Sequence, residues 1–189
     1  MGLAETRAGG FAARDCDRLA PLAECCSAVV LDAYAMSAVG DDPFDQPIVM
    51  TPHAGEMAHL TGATKDDVLA DPLAAVRAGA MRWGACVALK GSTTYIAQPD
   101  GSALRFAGGS PGLATSGSGD TLAGIIGGLA ARGALPLHAC AWGVLLHARA
   151  GAALARDQGS LGYLARELSA QVPALIHAMG RRSTASAST

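Results

Sequence analysis

The sequence predicts an α/β fold: a mostly parallel sheet with helices on both faces, one β-hairpin and a helical C-terminal end. Three observations carry this expectation. Short, continuous apolar runs alternate with stretches of helical periodicity, the pattern of strands buried on both faces. Two of the runs flank Pro99-Asp100-Gly101, a hairpin turn signal. From residue 120 onward only helical patterns remain.

Five runs read as strands: SAVVLD (27–32), PIVMT (47–51), ACVALK (85–90), TTYIAQ (93–98) and SALRFA (102–107). They are short and apolar or β-branched, and Pro52 stops the second. Short helices are expected at 54–60 and 65–70. A longer one is expected at 72–83, with Asp71 as N-cap and Pro72 at the first helical position. Residues 120–132 place Leu122, Ile125, Ile126 and Leu129 on one helical face. Gly124, Gly127 and Gly128 read there as sites of close helix packing. Pro136 opens a helix over 136–157, and a last helix, 161–179, is expected to be interrupted near Pro173. With no repeat and no interdomain linker, residues 1–180 form one domain. The small, polar tail 181–189 is expected to be disordered.

Composition narrows the function. Half of the 189 residues are hydrophobic, so a sizeable core is expected. Formal net charge is −2, with no basic stripe, so nucleic acid and charged membrane surfaces are not expected partners. The longest apolar candidate for a membrane span, around 139–155, carries His147 and Arg149. The N-terminus is charged where a signal peptide needs an apolar core. The five cysteines include the vicinal pair Cys25–Cys26 but no C-x-x-C, so a disulfide framework or zinc site is not expected. A cytoplasmic protein is the expectation.

The chemistry concentrates in GLATSGSGDTLAGIIGGL, residues 112–129. Glycines before a helix bring backbone N–H groups close to a ligand, and the helix N-terminus favours an anion. Gly117, Ser118 and Gly119 are therefore a candidate anion hole. Asp120 beside them would repel a phosphate unless it acts on a neighbouring hydroxyl as general base. The alternative is that Asp120 is only an N-cap. Neither G-x-x-x-x-G-K-[ST] nor G-x-G-x-x-G is present. TPHAGEMAHL (51–60) puts His53 and Glu56 near a strand end, where His53 is either a ligand contact or a satisfied loop histidine. LKGSTTYI (89–96) puts Lys90, Gly91 and Ser92 at another, suited to a nucleotide phosphate or ribose, or else only a surface lysine before a hairpin.

These three stretches, in this order, resemble the NAD(P)H-hydrate dehydratases of the ribokinase-like superfamily. VVLDAYAM (29–36), AWGVLLHARAG and GYLARELSAQVPALI resemble further segments of the family, so the likeness runs from about residue 28 to 179. The G-S-G-D loop marks the superfamily; T-P-H-x-G-E and K-G-S-x-T mark the family more sharply. The resemblance implies a three-layer α/β/α fold and a repair enzyme for the (S)-epimer of hydrated NADH or NADPH (NADHX or NADPHX). ADP or ATP, with Mg²⁺, would phosphorylate the added hydroxyl, and loss of phosphate would restore the nicotinamide. By motif, Asp120 would be the base and contact the hydroxyl, and His53 would contact the hydrated cofactor. Lys90, Gly91, Ser92, Thr93, Thr94 and Gly119 would bind the nucleotide. A homo-oligomer is expected from the same likeness. Tyr34 stands where many members have an acidic residue, and Ser110 where an Asn often precedes the G-L-A-T run. Residues 1–27 are few beside the family's usual N-terminal portion, so the chain is expected to be short at that end. A small-alcohol kinase and a non-catalytic nucleotide-binding relative are the competing readings.

Overall fold

The computed structural model describes residues 28–39 and 47–186. Cys16, Cys25 and Cys26 lie outside them, as do 187–189 of the tail. Five strands form one sheet in sequence order: β1 (Val29–Leu31), β2 (Ile48–Met50), β3 (Cys86–Leu89), β4 (Thr94–Ala97) and β5 (Ala103–Phe106). β1, β2 and β3 are parallel, with Leu31 opposite Met50 and Met50 opposite Val87. β4 runs antiparallel to β3 and to β5, so four of the five strands point one way. The hairpin closes through Asp100, whose side chain accepts from the Ser102 N–H at 2.8 Å.

Alternation along the strands divides the core into two layers. Leu31, Ile48, Met50, Val87, Leu89 and Ala97 face one side. There they pack against α1 (Ala54–Thr61), α2 (Lys65–Ala70) and α3 (Pro72–Trp83), through Met57, Val68, Val76 and Trp83. Val49, Cys86, Ala88 and Ile96 face the other side. They meet α4 (Ser118–Ala131) and α5 (Pro136–Gln158), through Leu122, Ile126, Ala139, Cys140 and Val144. A last helix, α6 (Ala165–Ser186), packs on α5 and α4; its Leu168, with Tyr163 just before the helix, lies against Ala150 and Leu154. Truncating a large core side chain costs about 2–5 kcal/mol, well above the ~0–1 kcal/mol of an exposed ion pair. The two apolar layers therefore set where the sheet edge lies.

Local signals explain the boundaries. The Asp71 carboxylate accepts from the Ala74 N–H at 2.9 Å and starts α3 at Pro72, as expected. Gly84, at φ 59°, ends it. Three expectations need correction. α6 runs unbroken through Pro173: the residue sits on the exposed side, where water can satisfy the freed carbonyl, while Leu168 and Leu175 pack inward. The same helix continues to Ser186, into the tail expected to be disordered from 181. Gly124 and Gly128 do not serve close packing among the described residues, because a Cβ on either meets nothing within 4 Å. Cys86 and Cys140 are buried free thiols 3.6 Å apart. The Cys86 sulfur and burial push the Cys140 thiol up, so it packs as a neutral group. Among the described residues no helix is long and apolar enough to cross a membrane.

The close helix contact in this layer is at Gly143 on α5. A Cβ there would lie 2.5 Å from Cγ1 of Ile126 on α4. Ile is stiff at χ1, so it cannot step aside freely. Gly143→Ala should therefore destabilise the protein by about 1–3 kcal/mol despite Ala's better helix propensity. Urea unfolding measures it; an unchanged or raised midpoint would show that the two helices do not wedge at this point.

Candidate active site

Three parallel strands end on one edge, and one polar side chain follows each: Asp32 after β1, Thr51 after β2, Lys90 after β3. The strand spacing puts the outer two about 10 Å apart at the backbone, a gap the long lysine side chain spans. Lys90 Nζ donates to Asp32 Oδ1 at 2.7 Å, and Thr51 Oγ1 donates to the same oxygen at 2.6 Å. Glu56 Oε2 lies 3.8 Å from Nζ. The Asp32 and Lys90 side chains are only 11% and 19% exposed, so neither charge is well hydrated. Burial alone would raise the Asp32 carboxyl. The hydrogen bonds from Lys90 and Thr51, with the lysine charge, outweigh it and hold the carboxyl below its ordinary range. Ala33, just past Asp32, has φ 47°, a strained value for a residue with a Cβ.

His53 caps α1 reciprocally. Its Nδ1 accepts from the Glu56 N–H at 3.0 Å, and Glu56 Oε2 accepts from the His53 N–H at 2.7 Å. The backbone here is tied to β3, because the Lys90 N–H donates to the Pro52 carbonyl at 2.7 Å.

The glycine loop enters from the other layer. Gly117, at φ 83°, turns the chain and is the N-cap of α4. The helix thus starts two residues before the expected 120, and Ser118, Gly119 and Asp120 form its first turn. Asp120 is not the N-cap, and its exposed carboxylate has no partner among the described residues. Gly119 makes a close approach: a Cβ there would sit 3.3 Å from Lys90 Nζ and 3.4 Å from Asp32 Oδ2, so a side chain would press on the pair. The helix N-terminus is seated directly on the ion pair.

Between these parts lies a cavity of about 800 Å³, within the size of a small-molecule site. Polar groups from Lys90, Gly91, Ser92, Thr94, Ser118 and Gly119 line it beside apolar Phe106, Leu113, Leu122, Val144 and Ala148, with His53 also on its wall. Thr93 and Gly117 do not line it. Asp120 lines a second, more open cavity of about 490 Å³ with Thr121, Gly124, Ile125, Ser169, Val172 and Pro173.

Residues 14–174 match the family model described as NAD(P)H-hydrate dehydratase. The chain belongs to the NAD(P)H-hydrate dehydratase family. It is 48% identical over 153 residues to an ADP-dependent (S)-NAD(P)H-hydrate dehydratase of Xanthomonas campestris, covering 81% of this chain and 53% of that one. The ADP/ATP-dependent NAD(P)H-hydrate dehydratase of Bacillus subtilis, co-crystallised with ATP and Mg²⁺, superposes with a TM-score of 0.72 at 30% identity. That match covers 79% of this chain and 54% of the Bacillus chain. A ribokinase-like superfamily protein of Enterococcus faecalis also gives 0.72, at 27% identity and covering 89% and 60% of the two chains. The ribokinase-like α/β fold is therefore the fold of this chain. The chain spans about half the length of the dehydratases it matches.

Asp32, Thr51 and His147 were not singled out from the sequence as site residues. The first two had a signal: they follow adjacent apolar runs at the position where Lys90 follows the third. His147 shares an otherwise apolar stretch with Arg149. It is 8% exposed on α5, with Nε2 2.9 Å from Ser118 Oγ and 3.1 Å from the Ser118 carbonyl oxygen. Burial lowers its pKa; the Ser118 carbonyl opposes this and the Lys90 charge adds to it. An unfolded chain takes up a proton near 6.5 that the native ring refuses. Stability is thus full above that value and falls with pH below it, until the native ring also protonates. Urea midpoints from about pH 7 to about pH 5 should fall more steeply for the wild type than for His147→Gln. Equal slopes would remove His147 as the cause.

Proposed function

We propose that this chain is an ADP-dependent (S)-NAD(P)H-hydrate dehydratase that restores NADH or NADPH from the hydrated cofactor. One observation carries the reading: the first turn of α4 divides two cavities. Ser118 and Gly119 line the larger, and Asp120, the next residue, lines the other. A phosphoryl donor on one side and a hydroxyl on the other would then meet at one helix N-terminus. The dehydratase names of the relatives support the substrate class.

In this mechanism the nucleotide binds in the 800 Å³ cavity. Lys90, held by Asp32, offers positive charge to the phosphates, and Gly91, Ser92, Thr94 and Gly119 offer polar backbone or hydroxyl groups. Asp120 accepts the proton of the added hydroxyl, and its oxygen attacks the terminal phosphorus of ADP. The bond to AMP breaks as the new ester forms, with the Gly119 N–H stabilising the phosphoryl oxygens; the Ser118 N–H, expected to share this role, donates instead to the Thr115 carbonyl at 3.2 Å. Phosphate then leaves with the C–O electron pair, and a neighbouring ring carbon loses a proton, restoring the dihydronicotinamide. His53 lines the nucleotide cavity and not the one beside Asp120, so in this reading it would meet the hydrated cofactor only where the substrate reaches past the first turn of α4.

Among the described residues no group of three or more His, Cys, Asp or Glu is placed to hold a metal. Mg²⁺ would be brought to the site by the nucleotide phosphates, and Asp120 is the carboxylate it would have to shield. When bound, the ion screens the phosphates from that carboxylate.

The test is return of the near-ultraviolet band of reduced nicotinamide from hydrated NADH, with Mg²⁺ and ADP, against ATP and no-nucleotide controls. A stable phosphorylated product would indicate a kinase, and ADP binding without turnover a binding-only relative. Asp120→Asn should leave ADP affinity nearly intact while turnover falls about 10²–10⁴-fold or more; comparable turnover sinks the base assignment. Lys90→Ala should chiefly weaken ADP binding in calorimetric titration, and an unchanged affinity would contradict its placement.

A further inference from the structure

The loop that meets the nucleotide in this reading has the sequence Gly117-Ser118-Gly119. Glycine on both sides gives the backbone its widest freedom where a phosphate site needs fixed N–H directions. Gly119 is seated against Lys90 and Asp32. Ser118 is held by a different group. It is 3% exposed, and the His147 ring reaches both of its polar atoms from α5.

The geometry selects one protonation pattern. A carbonyl oxygen can only accept, so the nitrogen 3.1 Å from it, Nε2, carries a proton. The same N–H is within reach of Ser118 Oγ at 2.9 Å. The other ring nitrogen, Nδ1, has no protein partner among the described residues. No buried side-chain nitrogen or oxygen there lacks a partner either. Nδ1 is therefore not sealed in, and His147 borders the 800 Å³ cavity. Depression of its pKa by burial agrees with a neutral ring.

We propose that His147, as the neutral tautomer protonated on Nε2, is a positioning residue that clamps Ser118 and so fixes the phosphate-binding turn of α4. The clamp rests on the nucleotide reading for its purpose but not for its existence. A ring merely filling core volume would support folding without affecting the affinity of the folded protein for nucleotide. A clamp changes that affinity, because without it the flanking glycines let the turn sample other conformations, and binding must reorder it.

Two measurements on the full chain test this. Long-range ¹⁵N–¹H NMR of the ligand-free protein at neutral pH should find the His147 proton on Nε2 and none on Nδ1; a proton on Nδ1 overturns the proposal. Titration with ADP then compares three variants with the wild type. His147→Gln puts an amide N–H near the place of Nε2–H, and His147→Asn puts one near Nδ1 instead. His147→Leu and His147→Asn should weaken ADP binding about tenfold or more in folded protein, while His147→Gln stays within about threefold of wild type. Wild-type affinity in folded His147→Leu or His147→Asn overturns the clamp, as does a folded Gln variant no better than Asn. If the Leu variant does not fold, the Gln–Asn pair decides. If the wild type itself does not bind ADP, the nucleotide reading fails, and the NMR result still decides whether the clamp exists.

Discussion

A lysine ammonium at the end of a parallel sheet, largely withdrawn from water, must be matched by a carboxylate, and the candidate site is arranged around how Asp32 matches Lys90. The pair joins the outer two of three adjacent strand ends, with Thr51 between them completing the carboxylate's hydrogen bonds. Removing one member would strand the other charge in a half-dry setting, which costs far more than an exposed pair contributes. The pair also forms the floor on which α4 rests, because Gly119 approaches Lys90 Nζ and Asp32 Oδ2 within the space of a methyl group. Sheet edge and helix N-terminus are thus one construction, although they come from opposite layers of the fold.

Charge counting shows what this construction can and cannot do. Lys90 stands between Asp32 and Glu56, one positive charge against two negative, a formal sum of −1. A helix N-terminus adds roughly half a positive charge. The neighbourhood is therefore not a strong electrostatic sink for phosphate. Anion recognition has to come from directed N–H groups at short range and from a cation that travels with the nucleotide. Direction demands rigidity, and a Gly-Ser-Gly turn has little of its own. Contacts that restrain Ser118 and Gly119 then matter more than the number of positive side chains.

Much of this was readable in the sequence, for identifiable reasons. Apolar runs bounded by turn residues located all five strands, and Asp71-Pro72 located the start of α3. The glycine loop, His53 and Lys90 stood out because their residue types are costly without a function or a cap. The Lys90–Asp32 contact was not readable, since it spans 58 residues and depends on strand order. The start of α4 was placed at Asp120 because Ser and Gly are poor helix formers. In the fold Gly117 supplies the left-handed turn and the helix begins directly after it. Glycines at 124 and 128 suggested packing, yet glycine alone does not say whether a neighbour is present. His147 gave no usable signal, because a histidine in an apolar helix looks the same whether it fills space or holds a loop.

The division made by α4 also separates binding from chemistry. The walls of the larger cavity come from β4, β5, the loops that follow β2, β3 and β5, α4 and α5, elements anchored in the two core layers. Asp120 instead points to an open depression formed with α6 and is itself exposed. On the proposed reading, nucleotide affinity is a property of groups already held in place by packing. Turnover further requires that water be kept from the Asp120 side while phosphoryl transfer occurs, since an exposed carboxylate would activate water as readily as a substrate hydroxyl. The hydrated cofactor would itself supply part of that exclusion by covering the depression. Discrimination between productive transfer and hydrolysis of the donor would therefore rest on the substrate's fit over α4 and α6, and not on the nucleotide cavity.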